Sequence, residues 1–296
     1  MARTRRRRVV VIGDDGTAPL AVAADRLDWK LVGVAEAPSI AAAMRAKERT
    51  VDDVLERSKA DVAIIGTNLA RRADDVRTAA SLGLHVVVVP SPKLRLIDVD
   101  RADGHAVDSM NERVTVGDPF PTAPATQRWF ARLRELPDIA TLTGRLRLGR
   151  HDELGHLWSL VAGAVLSARL RGQTSLADAR IEADSIAGAT LLEVGSLSMR
   201  LVVDDAAEAG TPLLELQAAG PADALRLEMF PTPHLEHNGS PVDVPTARHP
   251  ADAFGATDLL ANLAADIDTA RRPVLDARFH DDVAPLVAAL LAQRKR

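Results

Sequence analysis

The sequence predicts a two-part protein. An N-terminal α/β part forms a doubly wound parallel sheet, and an α+β domain with a largely antiparallel open sheet follows. Two observations carry the first part. Short continuous apolar runs at 9–12, 31–35, 62–65 and 85–89 alternate with Ala- and Leu-bearing helical stretches. This is the rhythm of strands buried on both faces and joined by right-handed helical crossovers. The first run also ends in Gly13-Asp14-Asp15-Gly16, a strand-to-helix turn. The third observation is a change of character beyond about residue 113. Prolines stand at 119, 121 and 124, and short β candidates then succeed one another between Gly-, Pro- or Asp-bearing turns. The expected domains are 1–113, of Rossmann type, and 114–296, α+β and suited to substrate or subunit contacts.

Each element has a local reason. The helix at 18–27 is rich in alanine and carries Pro19 in its first turn, where a missing N–H costs nothing. Helices are expected at 39–47 and at 51–58, the second opened by Thr50 as N-cap with Asp52 and Asp53 in its first turn. A helix at 71–82 stops at Gly83. In the second part, residues 118–124 read as a linker. Helix 126–136, strand 141–148 and helix 154–170 follow. Strands are then expected at 179–183, 189–194, 198–203, 213–217, 225–229 and 234–237, and a helical pair at 254–269 and 282–293.

Composition narrows the function classes. With no cysteine in 296 residues there is no disulfide, thiolate ligand or cysteine nucleophile. A formal net charge of −4 argues against a general nucleic-acid-binding surface. Arg3, Arg5, Arg6, Arg7 and Arg8 are the local exception and read as a solvated tail. The apolar run behind them is only four residues long, too short for a signal core of ~7–15 residues. No segment approaches the ~20 apolar residues of a membrane span. A cytoplasmic protein is expected.

The turn after the first strand is the first site candidate. A dinucleotide turn needs glycine for the bend, for close approach of backbone to diphosphate, and for helix–strand packing. Gly13 supplies the first and Ala18 is an acceptable third. The middle position is Asp15. A carboxylate there would face the diphosphate, and two unit charges ~4 Å apart at an effective dielectric of ~20 repel by ~4 kcal/mol. Both a weakened cofactor site and a tight turn that binds nothing stay open. Glu36 ends the second strand, where an acidic side chain accepts hydrogen bonds from an adenosine ribose and repels a 2′-phosphate. A bound dinucleotide is therefore expected to be NAD.

Residues 67–91, TNLARRADDVRTAASLGLHVVVVPS, resemble a motif of the glucose–fructose oxidoreductase/inositol dehydrogenase (Gfo/Idh/MocA) family. There a Thr-Pro-Asn-like turn leads into a helix, then Ala-Gly-Lys-His-Val and a strand closing on Glu-Lys-Pro. Thr67, Gly83, His85 and Val86 stand at the matching places, and Val89, Pro90 and Ser91 stand at Glu-Lys-Pro. The resemblance extends over nearly the whole chain. It implies an NAD(P)-binding first domain, with Gly13, Asp15, Gly16, Ala18, Glu36 and Thr67 at cofactor positions, and a sugar- or polyol-like substrate. It also implies association through the open sheet, into homo-oligomers or with an active paralogue.

The same resemblance locates the chemistry that is missing. The family's lysine falls on Pro90, which can neither ionise nor donate a backbone hydrogen bond. Counting back from Gly172, the proton-carrying Asp, His and Asp positions fall on Trp158, Ala162 and Val165. Lys93 and His156 are the remaining candidates for acid/base work. Arg71 and Arg72 stand near the family's histidine after the Thr turn and face either an anion or solvent. His234 and His237 are three apart in a strand and point to opposite faces, so no metal site is expected. His151, His249 and His280 carry no motif. The expectation is a family-like fold with an impaired active site, and the alternative is an NAD(P)-dependent oxidoreductase using divergent residues.

Overall fold

The computed structural model describes residues 6–97, 110–136, 139, 141–147, 153–170, 172, 180–183, 189–194, 197–204 and 213–294. The chain divides into two compact units, one of Met1–Asp118 with Ala256–Asp281 and one of Pro119–Gly255 with Asp282–Arg296.

The first unit is built on a six-stranded, all-parallel sheet in the order β3-β2-β1-β4-β5-β6. Its strands are β1 (Arg8–Ile12), β2 (Lys30–Ala35), β3 (Glu48–Arg49), β4 (Val62–Ile65), β5 (His85–Val88) and β6 (Val114–Val116). The four expected runs are all strands. Val9–Ile12 pair in register with Val62–Ile65, and Val62–Ile65 with His85–Val88. Val10, Ile12, Ala63, Ile65, Val86 and Val88 point into one buried cluster with Val54, Val76 and Ala79 from the helices. Both faces are covered, so the runs are apolar throughout rather than alternating. The helices are α1 (Ala18–Arg26), α2 (Pro38–Ala43), α3 (Val51–Arg57) and α4 (Leu69–Ser81). The Thr50 hydroxyl accepts from the Asp53 N–H at 3.3 Å, as an N-cap should, and Gly83 ends α4 with φ +83°.

Three features depart from the sequence reading. Helix α2 stops at Ala43 instead of running to 47, because Arg45 turns left-handed (φ 51°) and Glu48–Arg49 pair with Val34–Ala35 as β3. Strand β6 lies just past the expected boundary at 113 and pairs with β5 through Val86 and Val114. Three residues carry too little pattern to be seen as a strand without that partner. Segment 256–281 also belongs to this unit, although the sequence placed everything beyond 113 in the second domain. Helix α8 (Ala256–Thr269) buries Leu259, Leu260 and Leu263 and packs on α1, and the Val116 N–H donates to the Leu275 carbonyl at 2.7 Å.

Of the expected solvated arginine tail, Arg3 and Arg5 lie outside the described residues, Arg6 is exposed as expected, and Arg7 and Arg8 are half-buried instead. Arg6 pairs with Asp28 at 2.5 Å, Arg7 with Asp268, and Arg8 donates to the Ser58 carbonyl at 2.6 Å. These side chains clamp the start of β1 to its surroundings.

The second unit carries an eight-stranded sheet in the order β14-β13-β12-β11-β7-β10-β9-β8, antiparallel except for the β7–β10 pair. Its strands are β7 (Thr141–Arg147), β8 (Arg180–Ala183), β9 (Ala189–Val194), β10 (Leu197–Asp204), β11 (Leu213–Ala219), β12 (Ala224–Glu228), β13 (His234–His237) and β14 (Ser240–Pro241). Leu142, Leu146, Met199, Leu201, Leu214, Leu216, Leu225 and Leu227 are buried by alternation. Helices α5 (Pro124–Glu135) and α6 (Glu153–Leu170) pack on the sheet. The expected linker at 118–124 is ordered and buried. A 3₁₀ turn at Phe120–Thr122 brings the Thr122 hydroxyl within 2.8 Å of the Gly255 carbonyl, and Gly255 (φ +86°) has no room for a Cβ beside Ala123 N, 2.3 Å away. Prolines restrict φ, so here they stiffen the crossing segment.

Candidate functional site

The candidate site stands at the carboxyl ends of β1, β2, β4 and β5, where open parallel sheets bind ligands. The turn from β1 into α1 is shaped first by backbone hydrogen bonds. The Gly13 N–H donates to the Ala35 carbonyl at 2.9 Å, the Gly66 N–H to Ile12 at 2.7 Å, and the Asp15 N–H to Gly66 at 3.2 Å. A Cβ on Gly13 would lie 2.2 Å from the Gly66 oxygen, and one on Gly66 2.1 Å from the Asp15 oxygen. Two glycines therefore interlock. Gly13 was legible as the first glycine of a phosphate turn. Gly66 was missed, and its only sequence signal was its place immediately after β4. Gly16 (φ +65°) needs the left-handed region, and the buried Thr17 hydroxyl closes the turn by donating to the Gly13 carbonyl at 2.7 Å. Ala18 is exposed and opens α1.

The side chains around this turn are arranged in ion pairs. Asp15, with 71% of its side chain exposed, accepts from Nη2 of Arg72 at 2.5 Å. Arg72 itself is 1% exposed. Its Nε donates to the Thr67 carbonyl at 2.8 Å, its Nη2 to the same oxygen at 2.6 Å, and its Nη1 to the Val89 carbonyl at 3.0 Å. One guanidinium thus joins the ends of β4 and β5 to the turn after β1. The repulsion expected from Asp15 is correspondingly offset, because its charge has a partner 2.5 Å away. Asp14 accepts from the N–H (3.2 Å) and hydroxyl (2.9 Å) of Ser39.

Glu36, left-handed at φ 51°, is exposed at the end of β2 and bound to Nη1 of Arg71 at 2.5 Å. Nη2 of Arg71 lies 3.5 Å from Asp75. The hydrogen bond to Glu36, reinforced by Asp75, pushes the Arg71 pKa up. Burial pushes Asp75 up, with the Thr67 hydroxyl and the Arg71 charge opposing. The carboxylate expected to meet a ribose is therefore already engaged.

Lys93, the first acid/base candidate, is exposed in the loop after β5. Its backbone N–H donates to the Ser91 hydroxyl at 3.4 Å, and the Asp281 carboxylate ties the loop down by accepting from the N–H groups of Leu96 and Ile97 at 3.1 and 2.8 Å. Pro90 is half-buried beside it. In the second unit, Trp158, Ala162 and Val165 of α6 are 1%, 0% and 0% exposed. His156, the other candidate, is half-buried on the same helix. Its ring meets Phe230 edge-on at 4.8 Å, and Phe230 stacks on Phe254 at 5.3 Å.

The remaining histidines have separate roles. His234 pairs with Glu236 and His237 with Asp223, each at 3.0 Å, and His234 holds the Glu236 carboxyl below its usual range. His249 Nδ1 accepts from Ala251 N–H at a helix start, and buried His280 pairs with Asp281. His151 lies outside the described residues. Among the described residues no group of three or more His, Asp or Glu is placed to hold a metal, and no helix is long and apolar enough to cross a membrane.

No protein-family model and no curated protein sequence matches the chain. The fold does match solved structures. A dehydrogenase (MviM) from Clostridium difficile superposes with a TM-score of 0.72 at 12% identity, over 98% of this chain and 100% of that one. UDP-N-acetylglucosamine 3-dehydrogenase GnnA from Acidithiobacillus ferrooxidans gives 0.69 at 18%, over 97% and 96%. KijD10, a 3-ketoreductase from Actinomadura kijaniata in complex with NADP, gives 0.70 at 17%, over 97% of both chains. At these identities the likeness is one of fold alone.

Proposed function

We propose that this chain is a dehydrogenase-fold protein that has lost its catalytic groups and serves as a ligand-binding or partner subunit. The observation that carries this reading is the state of α6. The three positions where the family keeps proton-carrying groups are Trp158, Ala162 and Val165, each buried in the core of its own unit, with Pro90 at the lysine position. Acid/base assistance is typically worth ~10²–10⁴ in rate, so a chain that retained cofactor would still lose most turnover. The ligand class is sugar-like, in line with the sugar-nucleotide dehydrogenase among the structures of like fold. An active paralogue or a second copy of this chain is the expected partner, and the cytoplasm the expected compartment.

An implied dinucleotide fits the turn in shape and not in charge. The glycine turn at 13–16 and the start of α1 would hold the diphosphate, and Glu36 with Arg71 would meet the adenosine ribose. The Asp15 carboxylate, now paired with Arg72, would stand against the diphosphate. NAD remains the favoured cofactor because Glu36 disfavours a 2′-phosphate, though structures of like fold hold either NADP or NAD.

A second reading has its own observations. Lys93 is exposed and His156 only half-buried, so either side chain can reach solvent. In that reading the chain is an NAD(P)-dependent oxidoreductase on a sugar or polyol with displaced acid/base groups. Absorbance at 340 nm across a sugar and polyol panel, with both cofactors, decides between the two. We expect no turnover. Turnover of ~1 s⁻¹ or more that vanishes in Lys93→Ala or His156→Ala would establish the second reading and overturn the first.

A further inference from the structure

The phosphate turn carries an arrangement that neither reading uses. Arg72 is almost fully buried, and three of its four hydrogen bonds go to neutral main-chain oxygens, two to Thr67 and one to Val89. Its remaining partner is the Asp15 carboxylate. A guanidinium held out of water needs a counter-charge, and among its hydrogen-bond partners Asp15 alone supplies one. The two ends of this pair are unlike. Arg72 is 1% exposed and fixed by carbonyls from two strands, whereas the Asp15 side chain is 71% exposed. The turn does not depend on that side chain for its shape, which comes from the Gly13 and Gly66 contacts and from backbone hydrogen bonds.

We propose that Asp15 is a built-in occupant of an anion pocket whose floor is Arg72, and that a phosphate-bearing ligand enters the turn by displacing that carboxylate. The chemistry favours the exchange. Asp15 is held through Nη2 alone, since Nε and Nη1 are committed to Thr67 and Val89. A phosphate oxygen can accept from that Nη2 as the carboxylate does, and a phosphate brings more charge and more acceptors. The displaced carboxylate loses little, since it is already largely in water. The ligand class is the diphosphate of a nucleotide, lying across the mouth of β1, β4 and β5. This rests on the reading of the turn as the nucleotide end of the fold and makes Arg72 a specificity-determining residue. It also turns Asp15 from a simple loss of glycine into a self-occluding contact.

The test reads binding and needs no turnover. ADP, NADH and inorganic phosphate are titrated by calorimetry into the wild type, Asp15→Asn, Asp15→Gly and the double variant Asp15→Asn with Arg72→Lys. Lysine keeps the charge and supplies a milder perturbation than an apolar residue, and a melting curve confirms that each variant folds. Freeing a charge-assisted hydrogen bond should tighten ADP and NADH by roughly 10-fold or more in both single variants. The double variant should lose most of that gain, because an ammonium cannot hold the Thr67 and Val89 carbonyls and still present an N–H to the ligand as the guanidinium does. A gain for ADP and NADH but not phosphate supports the diphosphate as ligand, and a gain for all three supports a general anion pocket on the same floor. Equal binding by wild type and Asp15→Asn overturns the proposal, as does an undiminished gain in the double variant. Neither result bears on the non-catalytic reading, which stands or falls on the absorbance assay.

Discussion

The turn at 13–17 and helix α6 both carry positions that the resemblance of the sequence marks for chemistry, and they are built in opposite ways. The turn is polar. Gly13, Gly16 and Gly66 hold the backbone, and the altered residue, Asp15, is paired with Arg72. Helix α6 is apolar where it is buried, with Leu157, Trp158, Leu160, Val161, Ala162, Ala164 and Val165 all enclosed. The difference teaches where an added charge is tolerated: on a turn shaped by backbone contacts it can be paired and stay in water, and inside a closed core it can do neither.

Three substitutions test this contrast, beginning with the strongest. Val165→Asp places a carboxylate at a position on α6 where the resemblance of the sequence implies one. With the side chain 0% exposed, an unpaired charge there should cost ~3–5 kcal/mol, read as a fall in the urea midpoint. If the protein tolerates the change at neutral pH with an unchanged midpoint, α6 is not the closed core described. On the turn, Gly66→Ala forces a Cβ to within 2.1 Å of the Asp15 carbonyl. The backbone must move, so a loss of ~1–3 kcal/mol should accompany any loss of ADP binding. A wild-type midpoint would show that the glycine pair does not shape the turn.

The smallest effect concerns the strand that ends beneath the turn. His85 begins β5, and burial, with Arg113 and Arg7 nearby, pushes its pKa down from the usual imidazole value, Asp61 opposing. The folded state therefore binds fewer protons than the unfolded chain below an unfolded value of about 6.5. Stability contributed by neutral His85 is complete above that pH and is lost as the pH falls towards the lowered folded value. His85→Asn removes the titration. The wild type should be most superior to this variant near pH 8 and lose ground steadily towards pH 5. A difference in denaturation midpoint that stays constant over that range would contradict the assignment.

Much of this was legible from single residues. Val9–Ile12, Val62–Ile65 and the run from His85 are continuous apolar stretches, and a buried parallel strand is the structure that consumes such a run. Thr50 with Asp52 and Asp53 marked a helix start, and Gly83 a helix end. The residues at positions that the resemblance implies for catalysis could be counted along the chain. Strands β3 and β6 were not legible, since two or three residues have no period to show and become strands only through Val34 and Val86 as partners. Arg72 was not legible either. An arginine in a polar helix start reads as exposed, and its burial follows from carbonyls 5 and 17 residues away in the chain.

The sequence by itself determined the doubly wound first sheet, a largely antiparallel second sheet and the absence of ionisable groups at 90, 158, 162 and 165. Those properties depend on local periodicity and on residue identity, which one chain displays in full. The tertiary structure alone decided that 256–281 completes the first unit, that Gly66 is the counterpart of Gly13, and that Asp15 meets a buried cation. Each depends on segments distant in sequence reaching contact distance, and no local pattern encodes the partner a side chain will find there.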